Sequence, residues 1–161
     1  MPLLPAPKEM HTVPGVSPAR GFTATNAGPL AEERLALRSL GALSVQADGL
    51  YYAVIAAQAD ATLPDLPAVL RRPGREEGFF LSADEGLVCV LSAHPRGVLY
   101  GLHAYEQTLA DDGSFCGTVI DYPDTAFRAF HMDMRYGFPS VSRMLAILEE
   151  LSAARFNTFL L

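Results

Sequence analysis

The segment from Ala126 to Leu161 constrains this chain more than any other. It reads strand, helix, strand, and then the sequence stops. Residues Ala126 to Met134 carry aromatic and apolar side chains at the density of a strand, and Gly137-Phe138-Pro139 breaks them off. From Ser140 to Arg155, the residues Val141, Met144, Leu145, Leu148 and Leu151 fall at i, i+3, i+4, i+7 and i+10, one face of a helix. Asn157-Thr158-Phe159-Leu160-Leu161 closes as a short apolar run without polar alternation, the pattern of a strand buried on both faces. Together these predict one βαβ unit. Such a unit needs parallel strands beside it and helices over both faces. The expectation is a sequence that ends inside a fold.

The chain has 161 residues, enough for one domain with a sizeable core. Half of it is hydrophobic and its mean hydropathy is +0.18. Two readings fit: a piece whose apolar surface meets neighbours outside the sequence, or a tightly packed domain rich in Ala and Leu. Net charge is −6. The densest basic stretch, Arg71-Arg72 with Arg75, is offset by Glu76-Glu77, so a nucleic-acid partner is not expected. No apolar run is long enough to span a membrane. Met1-Pro2-Leu3-Leu4-Pro5 lacks the basic start and unbroken apolar stretch of a signal peptide. A cytoplasmic protein follows by default, and a secreted form whose leader has been removed reads the same. Cys89 sits in an apolar run as a small core hydrophobe. Its spacing to Cys116 neither requires nor forbids a disulfide, and no paired Cys/His spacing marks a zinc site.

Upstream of Ala126 the pattern is α+β. Prolines 2, 5, 7 and 14 predict an extended start to about Ser17. Gly21–Thr25 is a short strand, Pro29–Leu40 a helix ended by Gly41, and Tyr51–Ala57 a strand. Residues 60–75 are mostly loop, with Pro64, Pro67, Pro73 and Gly74. Glu77–Ser82 and Leu87–Ser92 flank Ala83-Asp84-Glu85-Gly86 as a β-hairpin. A helix starts at Pro95, with Val98, Leu102, Tyr105 and Leu109 along one stripe. A second stripe is small: Gly97, Gly101, Ala104 and Thr108. Its two glycines, each costing about 1 kcal/mol against alanine, predict a close approach to a sheet. Asp111-Asp112-Gly113 stops this helix, Gly117–Asp121 is a strand, and Tyr122-Pro123-Asp124 a linker. The predicted fold is a mainly antiparallel or mixed sheet with two helices on one face, residues 1–122, followed by the linker and βαβ unit of residues 123–161.

Three pieces stand in fixed order. Phe80-Leu81-Ser82 leads through Ser92-Ala93-His94-Pro95 to Arg96-Gly97-Val98-Leu99-Tyr100-Gly101-Leu102. Val119-Ile120-Asp121-Tyr122-Pro123 follows. Last come Phe127-Arg128-Ala129-Phe130-His131-Met132-Asp133 and, after a helix, Ala154-Arg155-Phe156-Asn157-Thr158-Phe159. The set resembles glycoside hydrolase family 20, the β-N-acetylhexosaminidases. In that family a non-catalytic α+β domain ends in an R-G-L/V-x-Y-G-L helix. An I/V-x-D-x-P linker enters a (β/α)8 barrel opening R-G-x-x-x-D, and the second barrel strand reads K-x-N-x-F/L. The Pro-rich Leu4-Pro5-Ala6-Pro7-Lys8 also resembles the family's opening. The resemblance covers nearly the whole chain. It implies an accessory domain to about Tyr122 and the first βαβ of a barrel from Phe127, against about 250 residues for a complete one.

The family hydrolyses terminal N-acetylhexosamine residues with the substrate's own acetamido group as nucleophile. An adjacent Asp-Glu pair orients that group and acts as acid/base, and no cofactor or metal takes part. The pair lies well beyond the second barrel strand, so the resemblance implies no catalytic residue in this chain and no activity from it alone. Asp84-Glu85 belongs to the hairpin turn. The resemblance gives Arg128 a substrate-binding role toward sugar hydroxyls, a task for a planar fork of donors, where the plain alternative is an ion pair with Asp124 or another carboxylate. It gives Asp133 a supporting role at the barrel mouth. Ala129 replaces the family's glycine, and Asp133-Met134-Arg135 is one residue shorter than D-x-x-R, which leaves subfamily and substrate open. His131 and Asp133 lack a third ligand, so no metal site is expected. His94 and His103 read as helix-surface or capping residues.

The leading expectation is thus the front portion of a family 20-like enzyme whose partner is an N-acetylhexosamine-containing glycan. The rival is a stand-alone carbohydrate-binding or protein-interaction module complete at Leu161, which must cover Leu145, Leu148, Phe159 and Leu160 by self-association.

Overall fold

A computed structural model describes residues 5–15, 22–26, 50–56, 63–84, 87–108 and 115–161. The expected helix Pro29–Leu40 and its Gly41 stop, the Asp111-Asp112-Gly113 stop, Leu109, and Glu85-Gly86 of the hairpin turn lie outside them. The chain divides into two compact units, Met1–Asp124 and Thr125–Leu161.

The first unit is built on a six-stranded sheet. Its strands are β1 (Glu9–Thr12), β2 (Phe22–Asn26), β3 (Tyr51–Ala56), β4 (Phe79–Ala83), β5 (Leu87–Ser92) and β6 (Gly117–Asp121), in the order β1-β6-β4-β5-β3-β2. Every pairing is antiparallel, and β2 carries an irregularity between Phe22 and Ala24. The predicted hairpin is the centre of this sheet: Phe80 faces Leu91 and Ala83 faces Val88. Asp84 closes its turn, accepting from the Leu87 amide at 2.7 Å through Oδ1 and donating its own amide to the Leu87 carbonyl at 2.9 Å.

Period-two alternation sends these strands into two cores. Phe79, Leu81, Ala83, Val88, Val90 and Val119 point to one face, where helix α1 (Pro95–Thr108) lays Val98, Tyr100, Leu102, Ala104 and Tyr105 over them. Cys89 and Leu91 point to the other, with Tyr52, Phe80 and Ile120. That second face is covered by the stretch expected to be loop: a 3-10 turn at Ala68–Arg71 drives Leu66 and Leu70 into the sheet. Both cysteines are buried thiols that form no disulfide.

The small stripe of α1 does what its glycines predict. A Cβ at Gly97 would lie 2.0 Å from the Ser92 hydroxyl and 2.5 Å from the Gly78 carbonyl; one at Gly101 would lie 2.3 Å from Val90. Helix backbone therefore rests directly on the sheet. Ser92 is fully buried; its hydroxyl donates to the Gly78 carbonyl at 2.6 Å and accepts from the His94 amide at 3.1 Å. His94 caps the first turn, its Nδ1 accepting from the Arg96 amide. His103 departs from expectation: it is buried within α1, with Nδ1 3.7 Å from Glu106.

The second unit is a parallel pair, β7 (Ala129–His131) and β8 (Thr158–Leu160), joined by helix α2 (Val141–Ala153). The predicted strand–helix–strand order is present, but β7 is far shorter than Ala126–Met134. Asp133 ends it by capping a 3-10 turn at Met134–Tyr136, and Gly137, at φ 125°, turns the chain away. Ser140 then caps α2, accepting from the Arg143 amide. The expectation that 157–161 is buried on both faces is not met: Leu160 and Leu161 are exposed. A two-stranded sheet with one crossover helix has too few layers to cover both of its faces.

Candidate functional site

The residues singled out in the second unit sit at opposite ends of β7. Arg128 precedes its first residue, and Asp133 follows its last by two. Five residues of near-extended chain put them about 16 Å apart, so the fold does not bring them together.

At the amino end, Arg128 is clasped. Its Nε donates to the Arg155 carbonyl at 2.7 Å and its Nη1 to the Thr125 carbonyl at 2.7 Å, with the Ala126 carbonyl at 3.5 Å. Asp124, one of the carboxylates considered for it, pairs with Lys8 at 2.6 Å. Asn157 completes the clasp. Its Oδ1 accepts from the Arg128 amide at 3.1 Å, and its Nδ2 donates to the Ala126 carbonyl at 2.7 Å. The Arg128 carbonyl accepts in turn from the amides of Asn157 and Thr158. Side chains thus carry the β7–β8 pairing beyond its backbone ladder. Asn157 carries no expected role although it stands in the Ala154–Phe159 motif, where a polar Asn before an apolar run is the available signal.

The Arg155 carbonyl is placed by the end of α2. The Phe156 amide donates to Leu151 and the Arg155 amide to Ser152, the paired bonds of a Schellman ending. Arg155 takes the left-handed position at φ 64°, where glycine is usual. That conformation costs an ordinary residue about 1 kcal/mol or more, and here it aims a carbonyl at Arg128.

At the carboxyl end, where parallel α/β units place their ligand sites, stand Asp133 and Arg135. The Arg135 amide donates to Asp133 Oδ1 at 3.0 Å and Nε to Oδ2 at 2.7 Å. The guanidinium, then the amide, hold the Asp133 carboxyl below its usual range. A carboxylate kept ionised in this way is a poor proton donor near neutral pH. The chain's one Asp-Glu dipeptide begins at Asp84, which closes the β4–β5 turn of the other unit, and its Glu85 lies outside the described residues. Among the described residues, no group of three or more His, Cys, Asp and Glu side chains could hold a metal ion. Nor is any described helix long and apolar enough to cross a membrane.

Around these residues the second unit is apolar and open. Phe138 is 82% exposed, Val141 78% and Leu145 61%, and Leu148, Phe127 and Leu161 are exposed with them. Phe130 and Phe159, register partners on the parallel pair, stack with centroids 6.0 Å apart.

No family model matches the chain, and no curated protein matches it by sequence. Among solved structures it is similar to the crystal structure of an inactive mutant of a GH20 exo-β-N-acetylglucosaminidase from Vibrio harveyi, with a TM-score of 0.64 at 17% identity. The match covers 98% of this chain and 25% of that one, so the chain spans about a quarter of that protein's length. At this identity the likeness is one of fold: an α+β chain with an antiparallel sheet and helices, consistent with a fragment of a GH20 glycoside hydrolase.

Proposed function

We propose that this chain is part of a β-N-acetylhexosaminidase-like glycoside hydrolase. Residues 1–122 are its non-catalytic accessory domain, and residues 123–161 the linker and first βαβ of its (β/α)8 barrel. The ordered motifs and the fold likeness support the reading. One observation carries it furthest. The parallel pair and its crossover helix are assembled, yet among the described side chains of residues 125–161 no apolar one is buried. Parallel sheets are stable when both faces are covered. The exposed stripe of Val141, Leu145 and Leu148 calls for further strands and helices, as a barrel provides.

In this reading the substrate is a glycan ending in N-acetylhexosamine, the catalytic Asp-Glu pair comes from residues outside this chain, and no cofactor is assigned. The full reading frame containing this sequence is expected to release chromophore from a nitrophenyl N-acetyl-β-glucosaminide and not from the plain glucoside. The 161-residue chain alone is expected to do neither. Turnover by this chain alone, or equal turnover of both substrates by the longer protein, would contradict the proposal.

For Arg128 the reading assigns sugar hydroxyls as partners, with two of its donors held by carbonyls so that the plane of the fork is fixed. Its place at the amino end of β7 favours a second role, a brace for the strand pair. Arg128→Lys in the active protein separates them: a raised KM with unchanged stability supports sugar contact, and a lowered Tm with unchanged KM supports the brace alone. Asp133, held by Arg135, is assigned support of the barrel mouth.

A further inference from the structure

Strand β1 is held to the sheet by a different set of forces from the inner strands. All its side chains are exposed, and none of them enters either core. What holds it is main chain and one lysine. The backbone ladder pairs Glu9 with Ile120 through Thr12 with Gly117, and the Val13 amide extends it to the Cys116 carbonyl at 3.0 Å. Before it, the Lys8 amide donates to Asp121 Oδ1 at 3.2 Å. The Lys8 ammonium sits 2.6 Å from Asp124 and 5.6 Å from the centre of the Tyr122 ring, which also has the Arg75 guanidinium 3.8 Å away. At Gly117, φ +142°, a Cβ would lie 1.9 Å from the His11 carbonyl oxygen, so the strand lies where β6 presents no side chain. A ladder with no apolar burial and one solvated ion pair belongs to the least stable part of a fold.

We propose that residues 8–13 are a releasable strap. They leave β6 while the inner strands stay folded, and the vacated edge of β6 is a strand-acceptor site whose fitting partner is the same segment of a second copy. An uncovered edge offers a row of amides and carbonyls to any extended chain. Here Asp121 and Asp124 select a lysine at one end, and Gly117 admits close-lying main chain at the other. This property belongs to the first unit and holds whatever the intact protein hydrolyses.

The register makes the test specific. The bond from Val13 to Cys116 fixes the alternation, so the amides of Thr118 and Ile120 face β1 and that of Val119 faces β4. In amide exchange by NMR on the whole chain, Thr118 and Ile120 are expected to exchange about tenfold or more faster than Val119. Lys8→Ala is expected to speed those two a further several-fold and leave Val119 unchanged. Gly117→Ala, whose methyl would push the strap outward, is expected to act the same way; should it fail to fold, the wild type and Lys8→Ala still decide. An added peptide of residues 5–15 is expected to slow Thr118 and Ile120 again in Lys8→Ala, saturably. Exchange of all three amides at one rate, indifferent to Lys8, would overturn the strap. Fast exchange that the peptide cannot slow would overturn the acceptor site.

Discussion

The two units follow the same local rules and reach different ends. In the first, alternation along β4, β5 and β6 delivers side chains to two faces, and each face finds a cover: α1 on one side, Leu66 and Leu70 on the other. In the second, register, caps and crossover are equally regular, yet the apolar stripe of α2 meets no cover. Secondary structure is set by nearby residues, whereas stability is set by what lies against them. The strands and helix of the second unit are as well specified as those of the first and much less supported.

Substitutions can widen or close that contrast. The largest loss is expected from Phe79→Ala, which empties a fully buried position between α1 and the sheet and should cost roughly 3–5 kcal/mol in urea unfolding. Next is Gly97→Ala. Its methyl would press on a backbone carbonyl and the buried Ser92 hydroxyl, and a loss of about 1–3 kcal/mol is expected. In the second unit, Leu145→Ser should change the stability of this chain by no more than about 0.5 kcal/mol, because Leu145 is exposed. In the longer protein proposed here the same change should be clearly destabilising. A loss comparable to that of Phe79→Ala in this chain alone would mean that α2 already has a cover, and would break the comparison.

The smallest effect concerns Asp133. Its folded pKa lies below its ordinary value near 3.8, first because of the Arg135 side chain. Its contribution is therefore present above that ordinary value and lost as pH falls through the lower folded one. Asp133→Asn should lower stability slightly at neutral pH and not at all in strong acid, a difference visible as converging thermal unfolding curves. A gap that widens on acidification would reverse the sign.

Legibility followed the kind of interaction. The β4–β5 hairpin was plain because two apolar runs flank a turn that Asp84 closes, all within one short stretch. The glycine stripe of α1 announced a close helix–sheet contact, since only such a contact repays two helical glycines. Strand β1 was invisible: Glu9-Met10-His11-Thr12 has no apolar face, and its pairing is main chain to main chain. The turn at Ala68–Arg71 was hidden among prolines, although Leu66 and Leu70 close a core. Strand β7 is shorter than its apolar density predicts because density does not reveal a cap, and Asp133 caps. The last strand has the composition of a buried one because composition records what a segment needs, not what is present to satisfy it. At the candidate site, Arg128 was found through resemblance. Asn157 leaves one local trace, a polar residue before an apolar run, but its bond to Arg128 and the left-handed Arg155 depend on pairings across the helix that no short stretch records.

Limited proteolysis of this chain, followed by intact-mass measurement, tests the contrast between the units most directly. The account predicts rapid cleavage between residues 125 and 161 and a resistant fragment ending close to Asp124. Survival of residues 125–161 for as long as the sheet itself would show that the second unit carries its own support, and would contradict the account.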